Sequence, residues 1–126
     1  MKIAISSSNK DIGSGIYTKF ERCNIFLIVD LDQNIVTPIT NKAKESPHEI
    51  GGAIGHMITK YKIDAIITTD IGPSAFKIFK QNEIKVYQAE GIIEDAINKL
   101  RLGELSEITK ATVPRYSYWK KNKITN

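Results

Sequence analysis

The stretch AIITTDIGPSAFKIFKQNEIKVYQAEGIIEDAINKLRL, Ala65 to Leu102, decides the fold. Ala65 to Thr69 is apolar and β-branched, reads as a strand, and stops at the turn signal Asp70-Ile71-Gly72-Pro73. Pro73 to Lys80 then sets Ala75, Phe76 and Phe79 on one helical face. Ile84 to Tyr87 returns to strand chemistry. Ile92 to Leu102 is helical again and is stopped by Gly103, since glycine adopts the left-handed conformation that ends helices. Strands that alternate with helices need crossovers, so these two strands should run parallel in one sheet of an α/β domain.

Upstream, Ser46 to Tyr61 carries a helix signature. Ser46 is an N-cap, Pro47 suits the first turn, Glu49 completes a capping box, and Ile50, Ala53, Ile54, Met57, Ile58 and Tyr61 follow the helical period. Ile25 to Asp30 (IFLIVD) is continuously apolar until its last residue, as a central strand should be. Leu31 to Asn34 turns the chain and Ile35 to Thr40 brings it back as a hairpin. Pro38 has no N–H for a ladder, so the returning strand is expected at the sheet edge. Lys2 to Ser6 is a further short strand, followed by the polar run Ser7 to Lys10 and a loop containing Gly13 and Gly15.

The chain of 126 residues is enough for one domain with a real core. Its 18 Lys and Arg against 14 Asp and Glu give a net charge of +4. All the acids lie at or before Glu107, whereas Lys110, Arg115, Lys120, Lys121 and Lys123 follow it, so residues 1–107 are nearly neutral at −1. We therefore divide the chain into an α/β domain, 1–108, and a basic tail, 109–126, with Tyr116, Tyr118 and Trp119 among its cations. Charge with stacking rings suits a nucleic-acid or protein-interaction segment, the alternative function for this chain; a solvated terminus has the same composition. One cysteine rules out an internal disulfide and suits a reducing compartment. The first nine residues are too short in apolar length for a secretory leader and no stretch matches a membrane span, so a cytoplasmic location and no membrane partner are expected.

Ligands of open α/β sheets bind beyond the carboxyl ends of strands. Two segments occupy such ends: Ser6-Ser7-Ser8-Asn9, and Thr69 to Pro73. Gly72 opens a helix, whose free N–H groups and dipole favour an anion. Gly51 and Gly52 lie in the first turns of the preceding helix, where glycine lowers helix propensity; a closely approaching ligand, a neighbouring strand, or close packing would each account for them.

At these residues the chain resembles the dinitrogenase iron-molybdenum cofactor biosynthesis family, small single-domain relatives of proteins that hold or carry nitrogenase cofactor precursors. The resemblance is carried by KIAISS at the start, KFERCNIFLIVD at Lys19 to Asp30, GGA at Gly51 to Ala53, IGPSAF at Ile71 to Phe76, IKVY at Ile84 to Tyr87 and EDAINKLRLGEL at Glu94 to Leu105. It spans residues 1 to about 108 in order. It implies a ribonuclease H-like motif with a five-stranded mixed sheet flanked by helices, the Ile25 strand antiparallel and the two carboxyl-end loops convergent. Two positions depart from the family pattern: Glu21 precedes Arg22 where glycine is usual, and Ile54 follows GGA in place of another glycine.

The function implied is that of a non-catalytic binding or carrier protein for an anionic metal–sulfur cluster of the iron-molybdenum type, working with a cluster donor or acceptor protein. Ser7, Ser8 and Asn9 would donate hydrogen bonds, N–H groups around Gly51, Gly52 and Gly72 would cradle negative charge, and Arg22 would neutralise it. Cys23 is either a soft thiolate ligand or a small buried hydrophobe. His48 is a candidate for a single metal bond or a hydrogen bond. It stands eight residues from His56, about 12 Å along a helix axis, too far for one ion to be shared, and His56 is expected at the surface. Asp70 either meets a cation or caps the loop before Pro73. Known catalytic patterns are missing: KIAIS has no acid for a nuclease metal site, and neither a nucleophile elbow, a phosphate-binding loop nor a dinucleotide fingerprint is present.

Overall fold

The computed structural model describes residues 1–45 and 50–113. The capping residues Ser46, Pro47 and Glu49, the ligand candidate His48, and the aromatic and basic residues beyond 113 lie outside the described residues.

The elements follow in the order β1 (Lys2–Ser7), β2 (Ile25–Asp30), β3 (Ile35–Thr40), α1 (Ile50–Tyr61), β4 (Ala65–Thr68), α2 (Pro73–Gln81), β5 (Lys85–Gln88), α3 (Ile93–Arg101) and β6 (Ser106–Ile108). Two 3-10 turns, Phe20–Arg22 and Lys42–Glu45, precede β2 and α1. The strands form one mixed sheet in the order β3-β2-β1-β4-β5-β6. β1, β4 and β5 are parallel, as the crossovers require, with Ile3 opposite Ala65 and Ala65 opposite Lys85. β2 runs antiparallel to β1 and β3, and Pro38, opposite Leu27, does lie on an edge strand.

Among the described residues the sheet has six strands rather than five. β6 was not legible because Ser106 and Glu107 are exposed and only Ile108 enters the core, too few apolar positions to show a period of two. Pairing supplies what the sequence lacks: Ile108 sits opposite Val86 on β5. Contact with the domain also continues past residue 108, since the Thr112 N–H donates to the Ile71 carbonyl at 3.0 Å.

Alternation along the strands divides the core in two. Ala4, Phe26, Ile28, Ile66, Val86 and Ile108 face α1 and α2, while Ile3, Ile5, Leu27, Val29, Ala65 and Ile67 face α3. The sheet is thus the middle of three layers, which explains why β1 and β4 are apolar on both faces. On the two-helix side Phe20 lies against Phe26 (4.9 Å between centroids) and Phe79 (5.3 Å, edge to face). Gly51 settles its own case: a Cβ there would stand 3.2 Å from Ile78 Cδ1, so this glycine lets α1 approach α2. Gly52 has nothing within 4 Å of such a Cβ. Gly103 ends α3 at φ +71°, with the Glu104 N–H on Lys99 O and its own N–H on Leu100 O. Among the described residues no helix is long and apolar enough to cross a membrane.

Candidate functional site

β1 and β4 are neighbours, so their carboxyl ends lie side by side, as the strand order demands for a ligand crevice. The buried hydroxyls of Ser6 and Thr68 join them at 2.8 Å. The chain itself then enters the crevice. Tyr17 N–H donates to Ser6 O and Ser6 Oγ donates to Tyr17 O; Asp70 N–H donates to Thr18 O and Phe20 N–H to Asp70 O. Residues 17–20 are thereby stitched to both strand ends and deliver the Phe20–Arg22 turn to the mouth of α2.

The serine loop points elsewhere. Ser7 is fully buried, and its hydroxyl donates to Asn9 O at 2.5 Å while accepting from Asn9 N–H at 3.1 Å, a local turn. Ser8 Oγ donates to Gly15 O, and Asn9 Oδ1 accepts from Lys10 N–H. The following residues serve α3: the N–H groups of Ile93 and Glu94 donate to Ser14 O and Ile12 O. Ser8 and Asn9 therefore head the loop that caps α3, whereas Glu21, Arg22 and Gly72 gather at the mouth of α2.

At that mouth Gly72 is the N-cap, and the residue whose carboxylate meets it is Glu21, 51 positions earlier. Its Oε1 accepts the Gly72 N–H at 2.6 Å, the bond a capping-box glutamate makes from within its own helix. The glycine leaves room for this approach, because a Cβ at residue 72 would lie 3.2 Å from that oxygen and the carboxylate would have to give way. Two of the N–H groups expected to cradle an external anion are thus engaged by the chain: Gly72 N–H by Glu21, and Ile71 N–H, which donates to Thr112 Oγ1 at 2.8 Å. Asn41 holds the turn from behind, its Nδ2 donating to Glu21 O and Cys23 O. Arg22 Nη1 donates to Lys44 O, tying the two 3-10 turns together.

Glu21 is 8% exposed, and its Oε2 is buried with no hydrogen-bond partner among the described residues. Burial pushes its carboxyl above the usual range; the Gly72 N–H and the nearby Arg22 oppose this, and Asp70 adds to it. The folded chain therefore holds this proton more tightly than the unfolded one. Its contribution to stability is full below the ordinary carboxylate range and is lost as pH rises through the raised value. Glu21→Gln has no such proton, so its stability relative to the parent is expected to improve as pH rises from about 4 to about 8. Urea midpoints of both chains across that range check this; a constant difference would contradict it.

Cys23 follows the turn and is fully buried, packed in the layer under α1 and α2. Burial pushes its thiol up to about 12, against the Ser7 N–H and Asn41, which favour the thiolate. It packs as a small hydrophobe. Labelling by a disulfide reagent is expected to be at least about 10³-fold slower in the native chain than in denaturant, since the thiolate is the reacting form; equal rates would contradict the burial. Among the described residues no three His, Cys, Asp or Glu side chains gather as a metal site. His56 is exposed, and the backbone of Asp70 pairs with Thr18 O and Phe20 N–H.

Beside the turn, a cleft of about 450 Å³ opens between α1 and the β2–β3 hairpin. Phe26, Ile39 and Met57 line it together with Lys42, His56 and Lys60, and Glu21 is its one carboxylate among the described residues. Glu21, Asn41 and Thr112 were not among the site residues read from sequence. Glu21 alone left a visible sign, standing where the family pattern has glycine.

The fold is a three-layer α/β domain with its candidate site at strand ends and a helix mouth. A family model described as dinitrogenase iron-molybdenum cofactor matches residues 1–103, and the chain belongs to that family. An uncharacterized protein of Methanocaldococcus jannaschii is 33% identical over 105 residues, covering 81% of this chain and 86% of its own length. A dinitrogenase-like protein of the same organism, solved by crystallography, is 31% identical with a TM-score of 0.66, over 87% of this chain and 96% of that one. The apo orange protein of Desulfovibrio gigas superposes with a TM-score of 0.81 over 89% of this chain and 96% of that one; at 20% identity the likeness is one of fold.

Proposed function

We propose that this chain is a non-catalytic binding or carrier protein for an anionic metal–sulfur cluster of the iron-molybdenum cofactor type. It would take the cluster from a donor protein and pass it to an acceptor in the cytoplasm. The observation that carries the reading is the mouth of α2, where a backbone N–H and the helix dipole already hold a carboxylate oxygen at 2.6 Å, beside an arginine. Membership of a family described by that cofactor supports the choice of cargo. The cluster is cargo, and Arg22 and the N–H of Gly72 are the groups suited to its negative charge; His48 is the candidate for a direct metal bond.

The test is anaerobic reconstitution of the full chain with iron, molybdate and sulfide, followed by desalting and elemental analysis. The parent chain is expected to retain molybdenum and iron, and a chain carrying Arg22→Ala and His48→Ala to retain far less. Equal metal in both would overturn the reading. Release of the cargo with unchanged metal content and spectrum is the outcome expected of a carrier.

A further inference from the structure

We propose that Glu21 is an internal anion that closes the mouth of α2, and that an external oxyanion or sulfide-rich metal anion enters by exchange with its carboxylate. This inference rests on the anion-binding reading above and names the residue that sets its affinity.

Three observations converge on Glu21. Its Oε1 occupies the Gly72 N–H at 2.6 Å, at the end of a nine-residue helix where a bound anion would sit. Its Oε2 is buried and unpartnered among the described residues, with the side chain as a whole nine-tenths buried. A buried carboxylate oxygen without a donor is costly, so Glu21 is held at the mouth against its own hydration. An incoming anion that accepts from Gly72 would let that carboxylate return to water.

The third observation is room for the exchange. Glu21 lines the cleft beside α1, whose other described titratable lining groups are the bases Lys42, His56 and Lys60 and the phenol of Tyr61. A carboxylate leaving the mouth meets these groups, and Arg22 stands next to it in sequence. Asp70 is the acid that acts against Glu21 at the mouth, and its repulsion favours departure. The adjacent Ile71 N–H is bridged by Thr112 Oγ1, a neutral partner, so the charged exchange concerns Glu21.

A site closed most of the time binds with its intrinsic affinity reduced by the open fraction. With a minor open state of about 1–10%, removing the plug should strengthen binding about 10–100-fold. The experiment titrates the full chain and its Glu21→Ala variant with tetrathiomolybdate, and separately with sulfate, by calorimetry at fixed ionic strength. The Gly72 amide is followed in parallel by nitrogen-resolved NMR. Tighter binding by E21A, at least about tenfold, with a shifted Gly72 amide, is the expected result. Glu21→Gln keeps a carbonyl for Gly72 and preserves the turn; it should fall between the two, and it decides the matter if E21A does not fold. Equal affinities in parent and variants, or a Gly72 amide that stays put, overturn the inference while leaving anion binding intact. Failure of every chain to bind either probe removes the anion reading and this inference together.

Discussion

Phe20→Ala is expected to lose about 3–5 kcal/mol of folding stability, measured as a fall in the urea midpoint. Phe20 is fully buried and sits between Phe26 of β2 and Phe79 of α2, so its ring joins sheet and helix. Removing it leaves a void with rigid walls on both sides, and the edge-to-face contact with Phe79 is lost as well. Domains of this size have about 5–15 kcal/mol in total, so about a fifth or more of the stability would go. The substitution also loosens the residue next to Glu21, so broadening of the Gly72 amide signal should accompany the shift. A loss below about 1 kcal/mol would mean that the aromatic cluster collapses around the gap.

Asn41→Ala is the second large effect. Its Nδ2 donates to Glu21 O at 3.0 Å and to Cys23 O at 2.9 Å, and the residue is buried. Each carbonyl left without a partner costs about 1–3 kcal/mol, and water has little access to replace the donor. The loss falls on the turn that aims Glu21 at α2, so faster amide exchange across residues 20–23 is expected together with the drop in midpoint. Asn41→Asp should not rescue it, because a carboxylate offers these two carbonyls no donor. If N41A matched the parent in both readouts, another group would have to be holding the turn.

These two residues show where sequence reading succeeded and where it stopped. The elements of the parallel core were legible because Ala65 to Thr68 and Pro73 to Gln81 carry their own periods, and Gly103 its own stop. The edge position of Pro38 followed from a missing N–H. β6 was hidden because Ile108 alone has a core to enter. The site was half legible for a different reason. Arg22 and Gly72 were singled out by residue type, and the mouth of α2 by its place after a strand. Their neighbours are set by hydrogen bonds that join Glu21 to Gly72 across 51 positions and Thr112 to Ile71 across 41, and no local pattern encodes such pairs. Ser7 was ambiguous because a hydroxyl after a strand suits a ligand contact and a local turn equally, and here it makes the turn with Asn9.

The two ends of the sheet also govern how copies of this chain can meet. One border is β3, where Pro38 withholds a donor; the other is β6, three residues long with Ser106 and Glu107 turned to solvent. Neither offers a long apolar ladder on which a strand from a second molecule could grow. Among the described residues, fibre-like stacking through the backbone is therefore disfavoured at both borders.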